Sequence, residues 1–426
     1  GANTHRGVTT VSQGVLRITH GSALGLSGTV TNGFTFLSGG NALATLELAD
    51  GIASSEVLKI AMHNTAGHQQ IRNGSGINQL QGALLFEGGG GRWDMASAGG
   101  TLLLSGTLSN TVTGTDDWRV LNLHGPGAGI INGPTGDTRS GTNGSLLNIR
   151  VNSGTWTMTG PGKTHLGTNV VAGGTLVLDA PLVSPVLVDS GGTIAGSGST
   201  TANFTINPGA TVLRRLADWS APEAALGAAR FSGPGSGGWT IRLDATGLTG
   251  FSETDRTLPV FSGPLSNISL NTITVAAENF PGTGAWSVAT NSTSLSLLYT
   301  APLQDAFEAW RDGIDWNGRP SGSLDDPDAD GLPNLAEYAF GGDPLHSSAA
   351  ERPTLSLVDK RLTVTFQRIA DPTLIYEVLA SDDAATPGTV IWSSTGAQNA
   401  DGPVTVTDIV TTQERSKRFV RVRINR

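Results

Sequence analysis

The chain's 426 residues allow two or three domains, and its 59 glycines and 20 prolines against 14% charged residues are turn-rich chemistry unlike that of a helical bundle. A hydrophobic share of 38%, much of it in Val/Leu/Ile alternations, excludes disorder, and a net charge of −9 argues against nucleic acid as a partner. No cysteine means no disulfide, which in a chain of this size points to an exported bacterial scaffold stabilised by a long core.

Residues 1–18 read Gly-Ala-Asn-Thr-His-Arg-Gly-Val-Thr-Thr-Val-Ser-Gln-Gly-Val-Leu-Arg-Ile. The phrase returns 160 residues later, at 161–178, with Thr4/Thr164, His5/His165, Gly7/Gly167, Val11/Val171, Gly14/Gly174 and Leu16/Leu176 identical. Its second half is echoed at 99–104, 154–158, 191–194 and 209–212. Each echo is a glycine turn followed by alternating apolar and polar residues, the pattern of one short, half-buried strand. So small a strand cannot bury its apolar face alone, but stacked on copies of itself it can, which is the logic of a solenoid.

The phrase resembles the autotransporter-associated β-strand repeat, worded Gly-x-Asn-Thr-Tyr-x-Gly-x-Thr-Thr-Val-x-x-Gly-Thr-Leu. His5 stands where that repeat has tyrosine, and the second copy has Lys163 for asparagine and Asn169 for the first threonine of the pair. The resemblance implies the passenger part of a bacterial surface protein, folded as a right-handed parallel β-helix over about residues 1–300. Because residue 1 falls inside a repeat phrase, the expectation is a mature or trimmed product.

Alternation continues through 25–36. Residues 49–95 are less regular, and 54–62 fits either a short helix or a strand. Around Phe86, Trp93 and Leu102 to Leu104 it resumes, across the run Gly88 to Gly91. That run lacks a lysine and a following helix, so it reads as a solenoid corner and not as a phosphate loop. The turn-dense stretch 125–144 is expected to project as a loop. Residues 152–212 hold the densest repeats. From 233 to 300, strands near 239–243, 257–261, 273–277, 286–288 and 294–299 carry aromatic anchors and read as coils closing an open end. At about 20–25 residues per coil, roughly 12–15 coils are expected.

The pattern breaks at Ala301. Leu303, Phe307 and Trp310 have helical spacing, and 301–350 reads as a helical linker. Within it, Asp326, Asp328 and Asp330 occupy positions 1, 3 and 5 of a calcium loop, Gly331 position 6, Leu332 position 7 through its carbonyl, Asn334 position 9 and Glu337 position 12. Alternating carboxylates on a tight turn, completed by a bidentate glutamate, supply the oxygens that Ca2+ requires. The loop also resembles the calcium segments of dockerin and thrombospondin type 3 modules. Pro333, at a position usually β-branched, favours a lone structural calcium clip over a paired hand. Asp325 lies outside the ladder and can cap or accept a supporting bond. Residues 351–426 offer six short strands, near 355–357, 362–366, 374–379, 390–392, 404–406 and 419–424, which indicate a small C-terminal β-sandwich.

Other chemistries are thinner. Asp116 and Asp117 beside Trp118 are the best candidate for a sugar-binding groove, but adjacent strand residues point to opposite faces. His63 and His68 lack a third zinc ligand in the sequence. His5 and His165 read as corner residues beside a turn. With neither a Gly-x-Ser-x-Gly elbow nor a cysteine, catalytic residues are expected to be none. Arg421 and Arg423 alternate with Val420, Val422 and Ile424, giving a charged strand face that is either solvated and protective or a dock for an acidic surface.

The whole reads as a non-enzymatic, extracellular or cell-surface structural protein. Its expected partner is another copy, joined head to tail through the solenoid end and the C-terminal part into a filament. A glycan-binding adhesin and a β-helical polysaccharide lyase or glycosidase are the alternatives. No run approaches the roughly 18–20 apolar residues of a membrane span.

Overall fold

A computed structural model describes residues 1–26, 28, 33–114, 119–139, 144–302, 305–347, 352–394 and 400–426. Its internal contacts divide the chain into two compact units, Gly1–Pro302 and Leu303–Arg426.

In the first unit the short strands stack in register into three parallel sheets, as in a β-helix. One sheet runs from Thr9–Val11 to Thr135–Gly136, a second begins at Gly14–Ile18, and a third lies between Ala53–Ser54 and Ile273–Glu278. Along each strand alternate residues turn inward. Leu121 and Leu123 are fully buried, as are Trp156 and Met158 on another sheet, and they join one continuous core from Val11 to Tyr299. Each fully buried side chain of this kind contributes about 1.5–3 kcal/mol.

Coil length is not uniform. Leu226 stands beside Phe261, whereas Asn169 stands beside Val186, so a coil takes anything from 35 residues to 17. The parallel ladder keeps its register across these differences apart from an irregularity between Thr200 and Asn203.

The stretch 125–144, expected to be a projecting loop, instead contributes the strands Ala128–Ile131 and Thr135–Gly136. The reason is spatial. Gly129 pairs with Trp156, and a Cβ at Gly129 would come within 2.1 Å of the indole ring. Its glycine therefore marks a close approach within a strand. The ambiguous segment 54–62 holds the strand Leu58–Ala61, and Gly88 to Gly91 form a corner, as expected.

The last coils change direction. Ser294–Thr300 runs antiparallel to both Arg256–Ser262 and Ala285–Thr290. Around them Trp219, Phe251, Phe280, Trp286 and Tyr299 pack ring against ring, with centroids 5.0–5.7 Å apart. This is the expected aromatic closure, with an antiparallel turn that local alternation does not encode.

The second unit holds the helices Ala306–Asp312 and Asn334–Phe340 and two three-stranded antiparallel sheets. All six expected strands are present. Phe307, Tyr338 and Phe340 from the helices share one core with Val364, Phe366, Tyr376, Val378 and Val406 from the sheets. Asp305 caps the first helix by accepting the N–H of Phe307 at 3.0 Å. No helix among the described residues is long and apolar enough to cross a membrane.

Candidate metal centre

The acidic loop owes its shape to two left-handed residues, Ala329 at φ 60° and Gly331 at φ 92°. Glycine meets that requirement without strain at the sharper position. The reversal turns the loop's amides onto its own carboxylates. The N–H of Asp330 donates to Asp328 Oδ1 at 3.1 Å and to Asp326 Oδ1 at 3.2 Å. Those of Gly331 and Leu332 donate to Asp326 Oδ2 at 2.8 Å and Asp330 Oδ1 at 2.9 Å. Asp326, Asp328 and Asp330 are thereby gathered so that one oxygen of each lies within 4.8 Å of the others. This cluster could hold a metal ion. Among the described residues no other group of three acidic, imidazole or thiol ligands does so.

Pro333 then sets the entry to the helix Asn334–Phe340, and Gly341 ends it in a left-handed turn at φ 78°. Asn334 and Glu337, three apart, share a face of that helix, and both are fully buried. The Asn334 amide donates to the Gly322 carbonyl at 2.8 Å, leaving its Oδ1 buried and without a partner. Both oxygens of Glu337 are buried and unpartnered too, as is Oδ2 of Asp328.

An ionised carboxylate left in that state is costly. Burial, followed by the charges of Asp328, Asp330, Asp326 and Asp343, pushes the Glu337 carboxyl up to about 7. Asp328 is raised as well, again by burial first. The buried Glu337 carboxyl thus feels the charge of the aspartate triplet, although it lies outside the 4.8 Å cluster itself. Arg352, a cation among the described residues, lies 3.3 Å from Asp330 Oδ1 and is also bonded to the Asp330 carbonyl. Unpartnered oxygens and excess negative charge are the features a hard cation satisfies.

Asp325, outside the ladder, accepts the Gly322 N–H at 2.7 Å on its side chain and the Asn334 N–H at 2.8 Å on its carbonyl. Sequence spacing did not point to Arg352 or Asp343. Neither belongs to the ladder, and only tertiary structure brings them to it.

The other candidates fall out differently. Asp116, Asp117 and Trp118 lie outside the described residues. His63 and His68 meet edge to face at 5.1 Å. Asp94, a residue the sequence did not link to them, is buried between His63 and His124. His124 Nε2 is 2.7 Å from Asp94 Oδ1, and His63 Nε2 is 3.0 Å from Oδ2 but too far off line to count as a hydrogen bond. Burial pushes the Asp94 carboxyl up, yet the two imidazoles beside it, His124 through a hydrogen bond, outweigh it and hold it below its ordinary value.

His5 and His165 do sit at corresponding corners. Each reaches four residues ahead at 3.0 Å, His5 to Thr9 Oγ1 and His165 to Asn169 Oδ1. The C-terminal arginines are largely paired within their unit: Arg423 with Glu377, Arg418 with Asp408 and Asp382, Arg426 with Asp305.

Comparison of the chain with protein-family models, with curated proteins and with solved structures finds no match. The parallel strand stacks and the aspartate triplet therefore stand on their own geometry.

Proposed function

We propose that the chain is a non-enzymatic structural protein of the bacterial cell surface or extracellular space, of the passenger type that its repeat phrase resembles, and that it associates with further copies of itself through its coil edges. The observation that carries this reading is the open edge of two sheets. Among the described residues, Thr9–Val11 and Gly14–Ile18 each pair with a strand on one side only. The Thr9 N–H donates to Phe34 and the Val11 carbonyl accepts from Ser38, so by ladder alternation the N–H and carbonyl of Thr10 face outward. Val15, 66% exposed, lies on the second edge. Such a row of unpaired donors and acceptors is a template for another strand.

In the second unit the edge strand Thr354–Val358 exposes Leu355 and Leu357 and is the complementary surface a neighbouring copy offers. The contact is head to tail and does not close on itself, so it propagates as a filament.

The cofactor in this reading is a structural Ca2+. Asp326, Asp328, Asp330 and Glu337 would supply carboxylate oxygens, Asn334 its side-chain oxygen and Leu332 its carbonyl. Millimolar extracellular calcium fills even a weak site of this kind, and the ion would fix the loop against the helix Asn334–Phe340.

The test is sedimentation of the full chain in calcium, with and without Thr10→Pro and Val15→Pro, which remove outward-facing donors from the two edges. The parent is expected to form large species and the double variant to sediment as a monomer with an unchanged melting temperature. A monomeric parent, or association indifferent to both prolines, contradicts the reading.

A further inference from the structure

The second sheet of the first unit carries a groove on its outward face that the structural reading does not use. Its floor is set by register. Asp94, Asn122, Arg150, Val170 and Leu187 stand side by side on five successive strands. Two adjoining cavities, of about 370 Å³ and 310 Å³, lie over these rows and share Val120 and Arg150 as walls. At about 4.8 Å per strand the five positions span about 20 Å along the stack.

One end of the groove is cationic and the other apolar. Arg92 lines the cationic end and makes no side-chain hydrogen bond or ion pair with any described residue. Arg150 gives its Nε to Asn152 Oδ1 at 3.1 Å, and its guanidinium reaches Asp189 only at 3.9 Å. His124, a quarter exposed, completes that end, its Nε2 turned onto the buried Asp94. Asn152 in turn donates to Asn122 Oδ1 at 3.1 Å, so the polar floor is held in place. Among the described residues the acids nearby are Asp94, buried beside its two imidazoles, and Asp189, outside the cationic cavity. Farther along, Val120, Val170 and Leu187 form an apolar strip on a face that alternation would make polar.

From this arrangement we infer that the groove binds an extended acidic oligosaccharide, one of uronic-acid type. Arg92 and Arg150 take its carboxylates, the Asn122–Asn152 floor and His124 meet its hydroxyls, and the apolar strip receives the C–H faces of its rings. Guanidinium forks match carboxylates in geometry as well as in charge. The spacing of successive strands suits successive sugars of an extended chain lying along the stack. The inference is independent of the calcium site and of self-association.

Calorimetric titration of the full chain decides it, with oligogalacturonate as probe, its methyl ester as the uncharged counterpart, and a neutral maltooligosaccharide of equal length. Oligogalacturonate is expected to bind, more weakly as salt rises, and the other two at least tenfold less tightly, because hydrogen bonds to charged groups are strong ones. Arg92→Gln and Arg150→Gln are each expected to lower affinity about tenfold or more. Arg242→Gln, on the third sheet in the strand Trp239–Asp244, leaves it unchanged. The inference is overturned by no binding of oligogalacturonate, by equal binding of its methyl ester, or by folded Arg92 and Arg150 variants that bind as the parent does. The ester comparison needs no variant, so misfolding cannot mask the outcome.

Discussion

Replacing Glu337 by glutamine changes the charge of the candidate metal centre and almost nothing else. In chelator the parent keeps a buried carboxylate, raised to about 7 by burial and by Asp328, Asp330, Asp326 and Asp343, with both oxygens unpartnered. Glu337→Gln relieves that repulsion, so without calcium the variant should be as stable as the parent or more so. In calcium the order should reverse. An ion at 100 times its dissociation constant adds about 2.7 kcal/mol to the parent, which for a unit of this size raises its transition by about 10 °C. Losing the only ligand able to grip with two oxygens from position 12 removes most of that gain. Scanning calorimetry of both proteins, in chelator and in millimolar calcium, reads all four values. The account of the site fails if the parent does not respond to calcium, if the variant responds equally, or if the variant is the less stable protein in chelator.

Three further outcomes follow from the first unit. Gly129→Ala forces a Cβ against the Trp156 ring, and urea denaturation should show a loss of about 1–3 kcal/mol, the usual cost of overpacking. His165 is buried, and burial first of all holds its folded pKa down to about 4. Only the unfolded chain takes up that proton between there and about 6.5, so stability is full above pH 6.5 and falls by about 3 kcal/mol as pH drops to 4. His165→Gln should flatten that part of a pH series of urea melts. Lys163, buried with Nζ bonded to the Gly133 carbonyl at 2.7 Å, is pushed down to about 8 by burial. Lys163→Met should therefore stabilise the unit by about 1–3 kcal/mol below pH 8, a gain that shrinks as pH rises toward 10 and that the same melts will show.

The solenoid was legible because its strands announce themselves locally. A period of two in apolar residues, cut by glycine, is written at 14–18, 101–104 and 175–179, and the structure places strands at all three. Where a strand is itself glycine-rich, as at Ala128–Ile131, composition imitates a turn, and only the tryptophan of the next coil explains the glycine. Coil length was not legible, because coils of different length keep the same parallel ladder. Nor was the antiparallel ending, since alternation reads the same in either strand direction.

In the acidic loop the aspartate spacing was local and visible, and Glu337 could be read as position 12, though not as part of the helix Asn334–Phe340. Its burial was not visible, for that depends on a core shared with both sheets. Asp94 shows the same limit more sharply. It meets His124 because their coils stack, 30 residues apart in sequence, and nothing in the intervening chain signals the pairing.

The central claim, a structural protein that joins its own copies through open coil edges, is tested most directly by electron micrographs of the full chain in millimolar calcium over a range of protein concentrations. Strings of units joined end to end, lengthening with concentration, are the predicted result. Single particles of one size at every concentration would contradict it.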